Sequence, residues 1–125
     1  MMVTISKDIL VFNSGMSDQR IVQDVLNRGP YHTITTSNTL EALKFLHKRE
    51  FNLIIACLGD ALDWNMVSTI HAASKKAPIL AIIPGNSQID PRQILQAGVW
   101  KVITTPVREE ELSNVLQKLD PCINP

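Results

Sequence analysis

Apolar residues follow two alternating rhythms along this chain. Short continuous runs, Ile9-Leu10-Val11-Phe12, then 51–57 and 78–83, carry almost no polar interruption. That is the pattern of strands covered on both faces. Between them the spacing changes to three or four: Ile21, Val22, Val25 and Leu26; then Leu40, Leu43 and Leu46; then Val67 and Ile70; then Ile94 and Leu95. Such spacing predicts helices with one buried stripe. Residues 31–36 are rich in β-branched types and alternate, which suits a strand nearer the sheet edge. Val102 and Ile103 centre a fifth strand, and a last helix is predicted from about 108 to 119.

The punctuation agrees with this division. Ser17, Asn38 (with Glu41 three residues on), Asp63 and Asp90-Pro91 are predicted helix starts. Gly29-Pro30, Ala97-Gly98 and Asp120-Pro121 are predicted stops. Glu109, Glu110 and Glu111 fall in the first turn of the last helix, where the helix dipole favours negative charge. Five strands alternating with five helices predict an α/β three-layer sandwich, with parallel strands, right-handed crossovers and helices on both faces. A ligand site in such a sheet lies beyond the carboxyl ends of the strands. The loops to inspect are therefore 13–16, 58–63, 84–89 and 104–107.

Composition narrows the picture. The 125 residues make one domain, read as 1–120 with a short tail at 121–125, and 45% are hydrophobic, enough for one core. Twelve basic and twelve acidic residues give zero formal charge, and no Lys/Arg run interrupts that balance, which argues against nucleic acid. The longest apolar stretch, 78–84, is far too short to cross a bilayer, and no signal-peptide pattern is visible, so a cytoplasmic chain without membrane partners is expected. Cys57 falls in a buried strand and Cys122 in the tail, so no structural disulfide is expected.

The strand ends are chemically quiet. The first strand ends in Phe12-Asn13-Ser14, the third in Ala56-Cys57-Leu58, the fourth in Ile82-Ile83-Pro84 and the fifth in Thr104-Thr105-Pro106. None of these positions holds a carboxylate or a lysine. Asp60 and Asp63 lie just past the third strand and read as a loop aspartate and a helix cap. His32, His47 and His71 sit in three different elements without metal-ligand spacing, so no metal is expected. Cys57 has no basic neighbour placed by sequence to activate it, and an apolar setting raises a thiol pKa, so it reads as structural. The turn Asn13-Ser14-Gly15-Met16-Ser17 precedes a helix and is a weak anion cradle. Neither a cofactor nor enzymatic turnover is expected.

The chain resembles the receiver domain of bacterial two-component response regulators, over nearly its whole length. The resemblance rests on Asp8-Ile9-Leu10-Val11-Phe12, on Phe51-Asn52-Leu53-Ile54-Ile55-Ala56-Cys57, on 77–83, and above all on 95–107, where a helix-ending Ala97-Gly98 leads through the fifth strand to Thr105-Pro106. It implies the flavodoxin-like strand order 2-1-3-4-5 and a cis bond before Pro106. It also implies five functional positions. The magnesium-binding acids correspond to Asn13 and Ser14, the phosphorylated aspartate to Cys57, the switching Thr/Ser to Ile83, and the phosphate-pairing lysine to Thr105. All five depart from the family pattern.

The reading is therefore a degenerate pseudo-receiver, signalling by protein contact without aspartyl phosphorylation. The resemblance places its partner face on the fourth helix, fifth strand and fifth helix, and implies a homodimer through that face as one arrangement. Here the face would draw on Gln93, Gln96, Trp100, Lys101, Ile103, Val107, Glu111 and Asn114, with Trp100 as anchor. Trp64 would plug the emptied pocket. Two alternatives stay open: a small-molecule or thiol-redox sensor in the same crevice, and a phosphoacceptor moved to Asp60.

Overall fold

Two segments without a single polar side chain set the centre of the molecule: β3 (Leu53–Cys57) and β4 (Ile79–Ile83) are buried at every position. In the computed structural model, which describes residues 7–13, 19–29, 31–57, 64–74, 77–85 and 90–118, they are flanked by β1 (Lys7–Asn13), β2 (Tyr31–Thr36) and β5 (Lys101–Thr104). The five strands form one sheet in the order β2-β1-β3-β4-β5, and every neighbouring pair is parallel. The helices between them are α1 (Gln19–Asn27), α2 (Thr39–Lys48), α3 (Trp64–Ala73), α4 (Pro91–Gln96) and α5 (Glu109–Lys118). The alternating β2 is an edge strand, and the continuous apolar strands are central.

Alternation along the strands divides the core into two layers. Ile9, Val11, Leu53, Ile55, Cys57, Leu80 and Ile82 face Val22, Val25 and Leu26 of α1 and Leu112, Val115 and Leu116 of α5. Leu10, Phe12, Ile54, Ala56, Ile79, Ala81 and Ile83 face Ala42 and Leu46 of α2, Val67 and Ile70 of α3, and Ile94 of α4. On the α1–α5 side, Arg28 and Glu109 form an exposed ion pair at 2.9 Å, and the Glu109 carboxylate raises the pKa of the guanidinium by hydrogen bonding and charge.

Local chemistry closes the helix ends. Asn38 Oδ1 accepts hydrogen bonds from the N–H groups of Leu40 and Glu41, at 2.8 and 3.3 Å. Asp90 Oδ1 accepts one from Arg92 N–H at 2.9 Å, with Pro91 in the first helical turn. The predicted caps Ser17 and Asp63 and the stop at Asp120-Pro121 lie outside the described residues, as does Cys122.

Two predicted inward residues point outward. Leu40 is 70% exposed and Leu95 is 44% exposed. On α2 the buried stripe runs through Ala42 and Leu46, and Leu40 lies about 200° round the helix from Ala42. In α4, only six residues long, Ile94 alone is buried, and its neighbour is turned about 100° away.

Gly98 follows α4 with φ +107°, a backbone conformation that L side chains rarely adopt. The imidazole of His71 lies where a Cβ at Gly98 would stand. Gly98→Ala should therefore cost about 1–2 kcal/mol from the backbone alone, with a steric part added. In urea denaturation the double variant His71→Ala/Gly98→Ala should recover only the steric part. Full recovery would show that the backbone is unstrained there.

Candidate functional site

The carboxyl edge of the sheet is assembled by strand register. Asn13 ends β1 directly opposite Cys57, which ends β3; Cys57 lies opposite Ile82, and Ile83 lies opposite Thr104. Register thus brings Asn13, Cys57, Ile83 and Thr105 to one edge. Asn13 is a buried polar residue, while Cys57 and Ile83 are buried within the core. Their side chains do not share a surface: Cys57 belongs to the layer under α1 and α5, and Ile83 to the layer under α2, α3 and α4.

Thr105 joins two segments at this edge. Its N–H donates to the Ile83 carbonyl at 2.9 Å. Its hydroxyl oxygen Oγ1 accepts from the Gly85 N–H at 3.0 Å. The Thr105 carbonyl lies where a Cβ at Gly85 would stand, so only glycine fits this approach without a shift. The Thr105–Pro106 bond is cis. The sequence offered no obvious sign of this clamp, because a threonine at a strand end and a glycine twenty positions earlier carry no shared pattern.

Among the described residues charge is concentrated elsewhere. Asp8 lies near the amino end of β1, where its carboxylate meets Arg49 at 2.9 Å and His32 at 3.4 Å. Arg49 also lies over the ring of Phe51, 5.4 Å from its centroid. His47 and His71 belong to α2 and α3. Among the described residues no three His, Cys, Asp or Glu side chains gather as a metal site. Ser14 and Asp60 lie outside the described residues, as does the side chain of Trp64.

A second feature opens at the sheet's other edge. A cleft of about 660 Å³ runs between β5 and α5, lined by 101–106 and by α5 residues that include Glu110, Glu111, Asn114 and Lys118. Lys101 and Glu111 are on its surface, and Trp100 is half-buried against the core layer of α1 and α5. Ile103 and Val107 correct the expected interaction face: both side chains are buried in that same layer, because the inward positions of β5 and of the turn before α5 complete the core. Arg108, Glu110 and Lys118 were missed. The stripe Glu111, Asn114 and Lys118, spaced by three and four, was the available signal.

The five parallel strands in this order, with two helices on one face and three on the other, define the receiver fold. The chain superposes with a TM-score of 0.74 on the receiver domain of a sensor histidine kinase from Pseudomonas aeruginosa, described with magnesium coordinated in its active-site cleft (21% identity, 92% of this chain and 98% of that one). It matches equally well, at 0.74, the receiver domain of Ssk1 from Saccharomyces cerevisiae, solved with the histidine phosphotransfer protein Ypd1 (21% identity, 94% and 91% covered). In sequence it is similar to the two-component response regulator ARR10 of Arabidopsis thaliana, 28% identical over 114 residues, or 87% of this chain. The chain spans only 20% of the length of that relative. No family model matches it.

Thr105→Val removes the acceptor for Gly85 N–H and keeps the shape. It should cost about 0.5–1 kcal/mol in urea denaturation and speed amide exchange at Gly85. Unchanged exchange at Gly85 would show that the clamp does not hold in solution.

Proposed function

We propose that this domain is a pseudo-receiver: a two-component signalling module that works by protein contact and is not phosphorylated on aspartate. The observation that carries the reading is Cys57. It ends β3 where the resemblance puts the phosphoacceptor, and it is an apolar-packed, fully buried thiol opposite a neutral Asn13. Magnesium favours hard, charged oxygen ligands. Phosphoryl transfer depends on that cation and on fixed positive charge to offset the charge that develops on the phosphoryl oxygens. Asn13 brings an amide, Ser14 and Thr105 bring hydroxyls, and Ile83 brings no polar atom.

The fold and the similarity to ARR10 support a place in two-component signalling. The complex of Ssk1 with Ypd1 supports a protein as the partner. In this reading the domain performs no catalysis, acts in the cytoplasm, and touches neither nucleic acid nor membrane. Its contact surface is the face of α4, β5 and α5, through which a homodimer is the second arrangement. Among the described residues no helix is long and apolar enough to cross a membrane.

The reading is tested by adding magnesium and beryllofluoride to the ¹⁵N-labelled chain. The amide signals of Asn13, Cys57 and Thr105 should stay where they are throughout the titration. A saturable shift at those three would overturn the proposal and restore phosphorylation at this edge.

A further inference from the structure

β5 is an edge strand, paired with β4 on one side only. Thr105 N–H donates to the Ile83 carbonyl at 2.9 Å and Ala81 is registered with Val102, so the backbone groups of Lys101 and Ile103 face β4. Successive residues of a strand turn their backbone groups to opposite sides, so Val102 and Thr104 turn theirs away from β4. An edge of this kind is a template for a further strand.

The cleft lies along that edge. Every residue from Lys101 to Pro106 lines it, and α5 forms the opposite wall, with Val115 among its lining residues. Its volume, about 660 Å³, falls in the range of pockets that enclose small ligands. Its charges are polarised. Lys101 starts β5 and Lys118 ends α5, so both lie at one end. Glu110 and Glu111 lie in the first turn of α5, at the other end, beside Arg108.

The geometry points to strand addition at β5: the cleft takes an extended peptide antiparallel to β5, with a basic residue near its N-terminal end and an acidic residue about four positions later. Backbone groups of the peptide pair with those of Val102 and Thr104, as in other strand-addition sites. Four residues of strand span about 13 Å, so the basic residue meets Glu110 and Glu111 while the acidic one meets Lys101 and Lys118. The reverse direction would set like charges together at both ends. A second copy would bring its own helices to the edge, which a short peptide does not. This inference gives a chemistry to the protein partner of the pseudo-receiver reading, and rests on that reading for the partner's place in signalling.

Two synthetic probes of identical composition test it against the wild-type chain: Ac-Lys-Val-Thr-Val-Glu-NH₂ and Ac-Glu-Val-Thr-Val-Lys-NH₂. In ¹⁵N spectra the first should move the Val102 and Thr104 amides saturably. The second should bind about two- to fivefold more weakly, the scale expected for exposed charge pairs. The variant Lys118→Glu should shrink that difference. Absence of a saturable shift, or equal binding of both probes, would overturn the inference. So would broadening of Val102 and Thr104 on concentrating the chain alone, which would give the edge to a second copy. These signals are separate from Asn13, Cys57 and Thr105, so failure here and failure of the magnesium test are read independently in the same spectra.

Discussion

Burial of β3 and β4 on both faces governs this molecule. Each side chain from Leu53 to Cys57 and from Ile79 to Ile83 is enclosed by helices, and the strands stay apolar through their last residue. The same constraint that makes the sheet a stable central layer fixes what its carboxyl edge can hold. A carboxylate in place of the Cys57 thiol would enter an apolar enclosure, and an unpaired ionised group there costs several kcal/mol or gives up its charge. An acid is tolerated at such a position when a cation faces it. The neutral Asn13 opposite Cys57 supplies none and requires none. Thiol, amide and aliphatic side chain are mutually consistent occupants of strand ends that, among the described residues, carry no charge.

The edge is also tied down. Thr105 holds the segment after β4 through its backbone and its hydroxyl, at Ile83 and Gly85. Gly85 is needed because the Thr105 carbonyl occupies the space of a side chain. Ile83 packs into the opposite core layer from Cys57 and carries no donor that could answer a charge. Together these contacts join the ends of β4 and β5, while the cleft beside β5 keeps its backbone edge, its opposed charges and its α5 wall. In the proposed account the two features are complementary: a quiet edge fixes the fold in one state, and the outer strand carries recognition.

The fold was legible because it rests on periodicity. Continuous apolar runs marked the central strands, the alternating 31–36 marked an edge, and Asn38 and Asp90 marked helix starts whose side chains do cap them. The strand order came from the resemblance. What failed were assignments that depend on rotation about a helix axis. Leu40 and Leu95 are apolar, yet the buried stripes run through Ala42, Leu46 and Ile94. Ile103 and Val107 were placed on a contact face by sequence position, and tertiary packing drew them inward. The site positions were legible as a set of neutral residues at strand ends. The Thr105–Gly85 clamp and the cleft were not, since both depend on segments distant in sequence being brought together by the sheet.

Among the described residues the strand ends carry no charge with which to bind a divalent cation, and isothermal calorimetry of magnesium added to the isolated chain tests this account most directly. The account predicts heats indistinguishable from dilution through the millimolar range. A saturable, near-stoichiometric uptake of magnesium would contradict it.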